Sequence, residues 1–215
     1  MPLNLGEPPR NCSFCPRLAE FRGANAKAYP DYFNGPVPAF GSREARLLIV
    51  GLAPGLKGAN RTGRPFTGDW AGDLLFATLL KHGLAKGAYC ERADDGLTLL
   101  ECTITNAVRC VPPENKPTPA EIKTCRKFLT AQISAMPRLR AILALGKIAH
   151  DSVCDALGMK KSGHPFKHGV AYKLERLALI SSYHCSRYNT NTGVLTEAMF
   201  DDVVKRAKLL AMPQI

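Results

Sequence analysis

Acid is scarce in this chain. Across the twenty residues GLAPGLKGANRTGRPFTGDW, Gly51 to Trp70, Asp69 is the only carboxylate; over all 215 residues 18 Asp and Glu face 29 Lys and Arg, a formal net charge of +11. Such a surplus surrounds the surface with a field that attracts polyanions, nucleic acid above all, or else serves solubility alone. Long apolar runs are missing as well. No stretch approaches the roughly 18 residues a membrane-spanning helix needs, and the opening MPLNLGEPPRNC has no apolar core of a leader peptide, so a cytoplasmic protein without a membrane role is expected. The glycine-rich stretch also lacks the closing Gly-Lys-Ser/Thr of a phosphate loop and the Gly-x-Gly-x-x-Gly of a dinucleotide site, which excludes the two commonest nucleotide-binding motifs there.

What is present is the composition of one soluble domain over residues 1–215, 46% hydrophobic and 22% charged. Four short apolar runs read as buried strands: RLLIVG (46–51), LECTITNAV (100–108), RAILALG (140–146) and LALISSYH (177–184). Between them, residues 71–84, 118–136 and 146–158 carry helical period, and Thr118-Pro119-Ala120-Glu121 has the form of a capping box with proline at the first helical position. Strand and helix in alternation predict a three-layer α/β/α domain with a central four-stranded parallel sheet. Residues 22–45 read as a long surface loop and 160–169 as a turn or hairpin. In sheets of this kind ligands bind outside the carboxyl ends of the strands, here Gly51–Trp70, Asn106–Pro113, Gly146–Lys147 and His184–Gly193.

Eight cysteines in a reducing compartment are thiols, ligands or nucleophiles rather than disulfides. Cys12 and Cys15 form a Cys-x-x-Cys pair, and Cys110 with Cys125 brackets a loop entering a helix, a layout suited to a four-thiolate site that clamps an N-terminal segment to the domain; spacing alone leaves zinc and an iron–sulfur cluster equally open. Cys102 and Cys154 read as buried thiols, and Cys90 lies in a loop without a ligand pattern. Cys185 adjoins His184, but neighbours on an extended segment point to opposite sides and cannot act as a pair. His164 and His168 flank Pro165, which argues against one helical face carrying both as metal ligands, and His82 and His150 read as ordinary helix residues. Arg61 and Arg64 can meet phosphate or brace the glycine-rich loop.

Three stretches together, GLAPGLKGANRTGRPFTGD, TNAVRC and SYHCSRYNTNTG, resemble the family 5, or b-type, members of the uracil-DNA glycosylase superfamily, in the family's order and after the strands where that fold would place them. The resemblance implies a monofunctional DNA glycosylase that flips out and hydrolytically excises uracil, and other deaminated bases such as hypoxanthine, from double- or single-stranded DNA in base-excision repair, acting as a monomer. It implies a [4Fe-4S] cluster on Cys12, Cys15, Cys110 and Cys125. Phe66 would stack on the extruded ring, and Asn106 would accept from uracil N3–H while donating to O4, a pattern cytosine reverses. His184 would donate to uracil O2, and Asp69 would position the attacking water and offset charge growing on the sugar, alongside its evident alternative as the N-cap of a helix beginning near Ala71. Gly51, Ala53, Gly55, Asn60, Ser186 and Arg187 would complete the substrate contacts, with Arg187 or Tyr188 at the gap left by the base. Family 4 relatives carry acids early in the first motif, where this chain has Leu52, Leu56, Lys57 and Gly58; Cys185 stands where family 5 usually has proline. The competing class is a non-catalytic nucleic-acid-binding protein that holds an iron–sulfur cluster or zinc.

Overall fold

The four apolar runs become strands because each places side chains on both faces of a sheet that is covered on both faces. In the computed structural model, which describes residues 6–213, the strands in chain order are β1 (Phe40–Gly41), β2 (Leu47–Gly51), β3 (Ala85–Lys86), β4 (Thr98–Leu99), β5 (Cys102–Asn106), β6 (Ala141–Leu145), β7 (Ala171–Lys173) and β8 (Ala178–Ser182). The helices are α1 (Pro16–Ala28), α2 (Ala59–Thr62), α3 (Trp70–Lys81), α4 (Pro119–Ser134), α5 (Lys147–Ala156), α6 (Arg187–Asn191) and α7 (Glu197–Ala211). Every residue of β2, β5, β6 and β8 is buried, as parallel strands sandwiched between helices must be.

Side chains alternate between the two halves of the core. Leu47 and Ile49 face α3 and α7, meeting Leu75, Phe76, Phe200 and Val204, while Leu48 and Val50 face α4 and α5, meeting Leu129, Ala149 and Val153. A smaller cluster of Leu18, Val108, Cys110 and Cys125 attaches α1 at the corner. The capping box forms as the sequence predicts: Thr118 Oγ1 accepts from the Glu121 amide at 3.3 Å, and Glu121 Oε2 accepts from the Thr118 amide at 2.7 Å.

The sheet has six strands, in the order β1-β5-β2-β6-β8-β7, rather than the four expected. The four central strands are parallel; β1 and β7 add antiparallel edges of two and three residues, too short to carry a period. A separate β3–β4 hairpin, α1, α2, α6 and α7 are further additions to the predicted scheme. The residues expected to form a long loop, 22–45, contain the end of α1 and all of β1. From β2 the chain turns to β5 on one side, and from β6 to β8 on the other, so the carboxyl ends of β2 and β6 lie at the reversal point where a crevice opens. Among the described residues, no helix is long and apolar enough to cross a membrane.

Candidate active site

Parallel register sets Gly51, the last residue of β2, beside Asn106, the last of β5. Gly51 must be glycine for a steric reason: a Cβ there would lie 2.5 Å from both Asn106 Oδ1 and the Phe66 ring. The Asn106 amide and the Phe66 ring therefore meet in front of the bare backbone of β2. The Phe66 ring in turn lies nearly parallel to the His184 imidazole, with centroids 5.9 Å apart and planes 23° apart. Phe66, from the loop after β2, thus lies beside both Asn106 at the end of β5 and His184 beyond the end of β8.

His184 lies two residues beyond the end of β8 rather than within it. Asn189 Nδ2 donates to its carbonyl at 2.8 Å, which ties the start of the following segment to α6. Burial alone lowers its imidazole pKa to about 4, so the ring is neutral at physiological pH.

Asp69 is the N-cap of α3. Its Oδ1 accepts from the Gly72 amide at 3.1 Å, while Oδ2 faces Gly55 and Gly58; a Cβ on Gly58 would stand 2.5 Å from that oxygen. Burial raises its pKa above the ordinary 3.8, with Asp73 and Glu91 adding to the rise against the amides of Gly72 and Ala71. The capping bond occupies one carboxylate oxygen and leaves the other facing the two glycines.

Other residues singled out from the sequence take different places. Asn60 is fully buried, its amide donating to Asn34 Oδ1 at 2.9 Å, so the structure makes it a brace for the 29–34 loop rather than a free group for substrate. Arg64 is also buried, paired bidentately with Asp95 at 2.8 and 2.7 Å, whereas Arg61 is only half-buried and donates to the Lys57 carbonyl. Ser186 caps α6 by accepting from the Asn189 amide at 3.4 Å. Arg187 is exposed, with its guanidinium carbon 5.1 Å from the Trp70 ring centroid, and Tyr188 projects into solvent. Cys185 is fully buried, its Sγ 3.5 Å from the Ala71 carbonyl, and so joins the β8 exit to the start of α3. Ala53 is partly buried against the cysteine corner. A broad groove between α3 and α7 includes Trp70, Leu74 and Leu195 but none of Asp69, Phe66, Asn106 or His184, and is a separate feature.

Cys12, Cys15, Cys110 and Cys125 line one small apolar pocket with Leu18 and Val108. Arg22 Nη1 donates to Cys110 Sγ at 3.0 Å, and the Arg109 amide to Cys125 Sγ at 3.4 Å. Among the described residues, no three His, Cys, Asp or Glu side chains converge tightly enough to hold a single metal ion. The remaining cysteines form no such group: Cys102 and Cys154 are buried thiols, and Cys90 is exposed. The histidines of the 160–169 loop act separately: His164 Nδ1 lies 2.9 Å from the Lys160 carbonyl, and His168 Nδ1 accepts from the Tyr183 amide at 3.1 Å.

Sequence reasoning missed Tyr89, whose hydroxyl touches the backbone on both sides of Thr67, and Trp70, whose indole N–H donates to Thr190 at 3.0 Å. Trp70 carried a signal, being the single tryptophan and adjacent to Asp69; Tyr89, in a loop outside every motif, carried none.

Comparison with known proteins agrees with this geometry. The family model described as Uracil DNA glycosylase superfamily matches residues 38–208. The type-5 uracil-DNA glycosylase of Thermus thermophilus is 45% identical over 206 residues, covering 93% of this chain and 94% of its own. Pyrobaculum aerophilum offers an internal contrast: its type-5 uracil-DNA glycosylase is 40% identical, covering 92% of this chain and 88% of its own, while its type-4 enzyme is 30% identical, covering 84% and 78%. With most of its length matched, and the type-5 relatives nearer than the type-4, the chain belongs to the type-5 branch of the uracil-DNA glycosylase superfamily.

Proposed function

We propose that this protein excises uracil from DNA by hydrolysing the bond between base and deoxyribose, as the first step of base-excision repair. The observation that carries the reading is the meeting of Phe66 with Asn106 in front of the bare Gly51 backbone and with the His184 ring beside it, with one oxygen of Asp69 left free of its capping bond. Cleavage builds positive charge on the sugar and negative charge on the base, so the site has to answer both signs.

The target base leaves the stack at a cost of about a few kcal/mol, least where it is mispaired. The basic surface grips the flanking phosphates meanwhile, from a net charge of +11. Phe66 stacks on the extruded ring, a contact worth about 1–3 kcal/mol. Asn106 Oδ1 accepts from uracil N3–H and its Nδ2 donates to O4; cytosine leaves both unpaired. A neutral His184 donates to O2, where the leaving group gathers charge, a donor of a kind worth about 3 kcal/mol in the transition state. Asp69 Oδ2 orients the attacking water, accepts its proton and offsets the sugar's charge. Gly51, Gly55 and the backbone near Ala53 shape the pocket, and Ser186 and Arg187 meet the phosphates beside it.

The second part of the proposal is a [4Fe-4S] cluster held by Cys12, Cys15, Cys110 and Cys125. Four thiols in one apolar pocket, two of them receiving N–H donors from Arg22 and Arg109, suit a set of thiolates whose charge needs compensation. When bound, such a cluster cross-links the N-terminal segment to the loop after β5 and takes no part in the hydrolysis.

The test is release of uracil from a labelled oligonucleotide followed by alkaline cleavage at the abasic site, with a hypoxanthine oligonucleotide run in parallel. Turnover on uracil supports the enzyme; tight binding with no base released returns the protein to a non-catalytic role. Iron and acid-labile sulfide with broad visible absorption support the cluster, and zinc without iron overturns it.

A further inference from the structure

Phe66 is held in a conformation it would not choose. Its φ is +55°, in the left-handed region that costs a non-glycine residue about 1–3 kcal/mol, and such strain persists only where surrounding structure enforces it. Gly68, two residues on, is also left-handed at +84°, so residues 66–68 form a tight reversal leading directly into Asp69. Among the described residues, neither the Phe66 carbonyl nor the Gly68 amide has a backbone partner. Both go to Tyr89: its hydroxyl accepts from the Gly68 N–H at 3.2 Å and donates to the Phe66 carbonyl at 3.4 Å.

The opposite side of the reversal is closed by Gly72 in the first turn of α3. A side chain there would overlap the Phe66 carbonyl oxygen and stand 2.7 Å from the Tyr89 oxygen. Tyr89 is itself fixed. Its ring packs on Phe76, with centroids 4.6 Å apart, and its loop is anchored by Asp95, which accepts from the Cys90 and Leu97 amides at 3.0 Å each and pairs with the buried Arg64. Burial pushes the Tyr89 hydroxyl pKa up to about 12, so it remains a donor at every working pH.

We propose that Tyr89 is a positioning residue for base excision: its hydroxyl bridges Phe66 and Gly68, and so holds both the ring that receives the extruded base and the backbone that delivers Asp69. The inference rests on the reading above that Phe66 is the stacking face. Tyr89 touches neither base nor sugar and acts through the reversal alone.

Tyr89→Phe tests this, since it keeps the ring packed on Phe76 and removes only the bridging oxygen. The expected result is a single-turnover excision rate about three- to tenfold lower, the size one ordinary and one long hydrogen bond would give, with the KM for DNA unchanged because the phosphate grip lies elsewhere. The emission of 2-aminopurine placed beside uracil should fall, reporting fewer extruded bases. In a Phe66→Leu background the same substitution should cost less than in the wild type, because the part of its effect that acts through the ring is already gone and only the part that acts through Asp69 remains. Excision by Tyr89→Phe at the wild-type rate overturns the proposal, as do losses that simply multiply in the double variant. Failure of the underlying reading looks different: Phe66→Leu then excises uracil at the wild-type rate. A crystal structure of Tyr89→Phe decides the point independently of activity. Loss of the positive φ at Phe66 supports the bridge, and its retention refutes it.

Discussion

Protonation of His184 is a perturbation whose direction the structure defines, with a single physical cause. Burial is the sole cause that lowers its pKa from 6.5 to about 4. At pH 7 an ordinary histidine is about a quarter protonated; one with a pKa of about 4 is protonated in about one molecule in a thousand. Placing a proton on His184 in the folded site therefore costs roughly 3 kcal/mol more than in the unfolded chain. The sign follows from where each state takes up the proton. The unfolded chain does so below pH 6.5 and the folded chain only below about 4. The stability held by a neutral His184 is therefore complete above pH 6.5 and is lost as pH falls from 6.5 through 4. The assay is an NMR titration of the imidazole Cε1–H resonances between pH 8 and 3.5, with His184 assigned by its disappearance in His184→Asn. A midpoint near 4 is expected. A midpoint within about half a unit of the ordinary value would show that protons reach the ring freely, and would remove the argument that it donates as a neutral group.

Asp69→Asn should lower excision by about 10²–10⁴-fold with DNA affinity nearly unchanged, since asparagine caps a helix as well as aspartate; equal losses in rate and binding would leave capping as the residue's whole role. Gly58→Ala places a methyl group 2.5 Å from Asp69 Oδ2 at a residue whose φ of −96° and ψ of −112° a side chain disfavours, so turnover and melting temperature should both fall, and full activity would show that this oxygen is not used. Asn106→Ala should erode the preference for uracil over cytosine, measured as the ratio of single-turnover rates on matched oligonucleotides; an unchanged ratio places the discrimination elsewhere. Arg64→Ala leaves Asp95, whose side chain is 1% exposed, as an unpaired buried charge, and should cost about 3–5 kcal/mol in chemical denaturation; a loss under about 1 kcal/mol would show that water replaces the guanidinium.

Much of the scaffold was legible because the features that form it are local. Short runs rich in apolar and β-branched residues, flanked by helical period, state a buried parallel strand, and β2, β5, β6 and β8 lie within the predicted runs. The Thr118 cap is legible for the same reason, because its donor and acceptor are three residues apart. The missing helices had different causes. In α7 the pattern Phe200, Val203, Val204, Ala207, Ala211 is present and could have been read, whereas α1 hides its inward face by burying Arg22 and Asn25 beside Leu18. Among the arginines, sequence offered no means to separate Arg64, which is buried against Asp95, from Arg61, because Asp95 is 31 residues away.

The sequence by itself determined the order and type of the main elements, the family, and the residue types that end the strands, because these depend on periods and spacings within a few residues. Only the tertiary structure decided that Gly51 must lack a side chain, that His184 lies against Phe66, that Asn60 turns inward to Asn34, and that a tyrosine outside every motif spans the strained turn. Each of these is a contact across 15 or more residues of chain. No local pattern encodes such a contact; it exists only once the sheet has ordered its strands and brought their carboxyl ends to one edge.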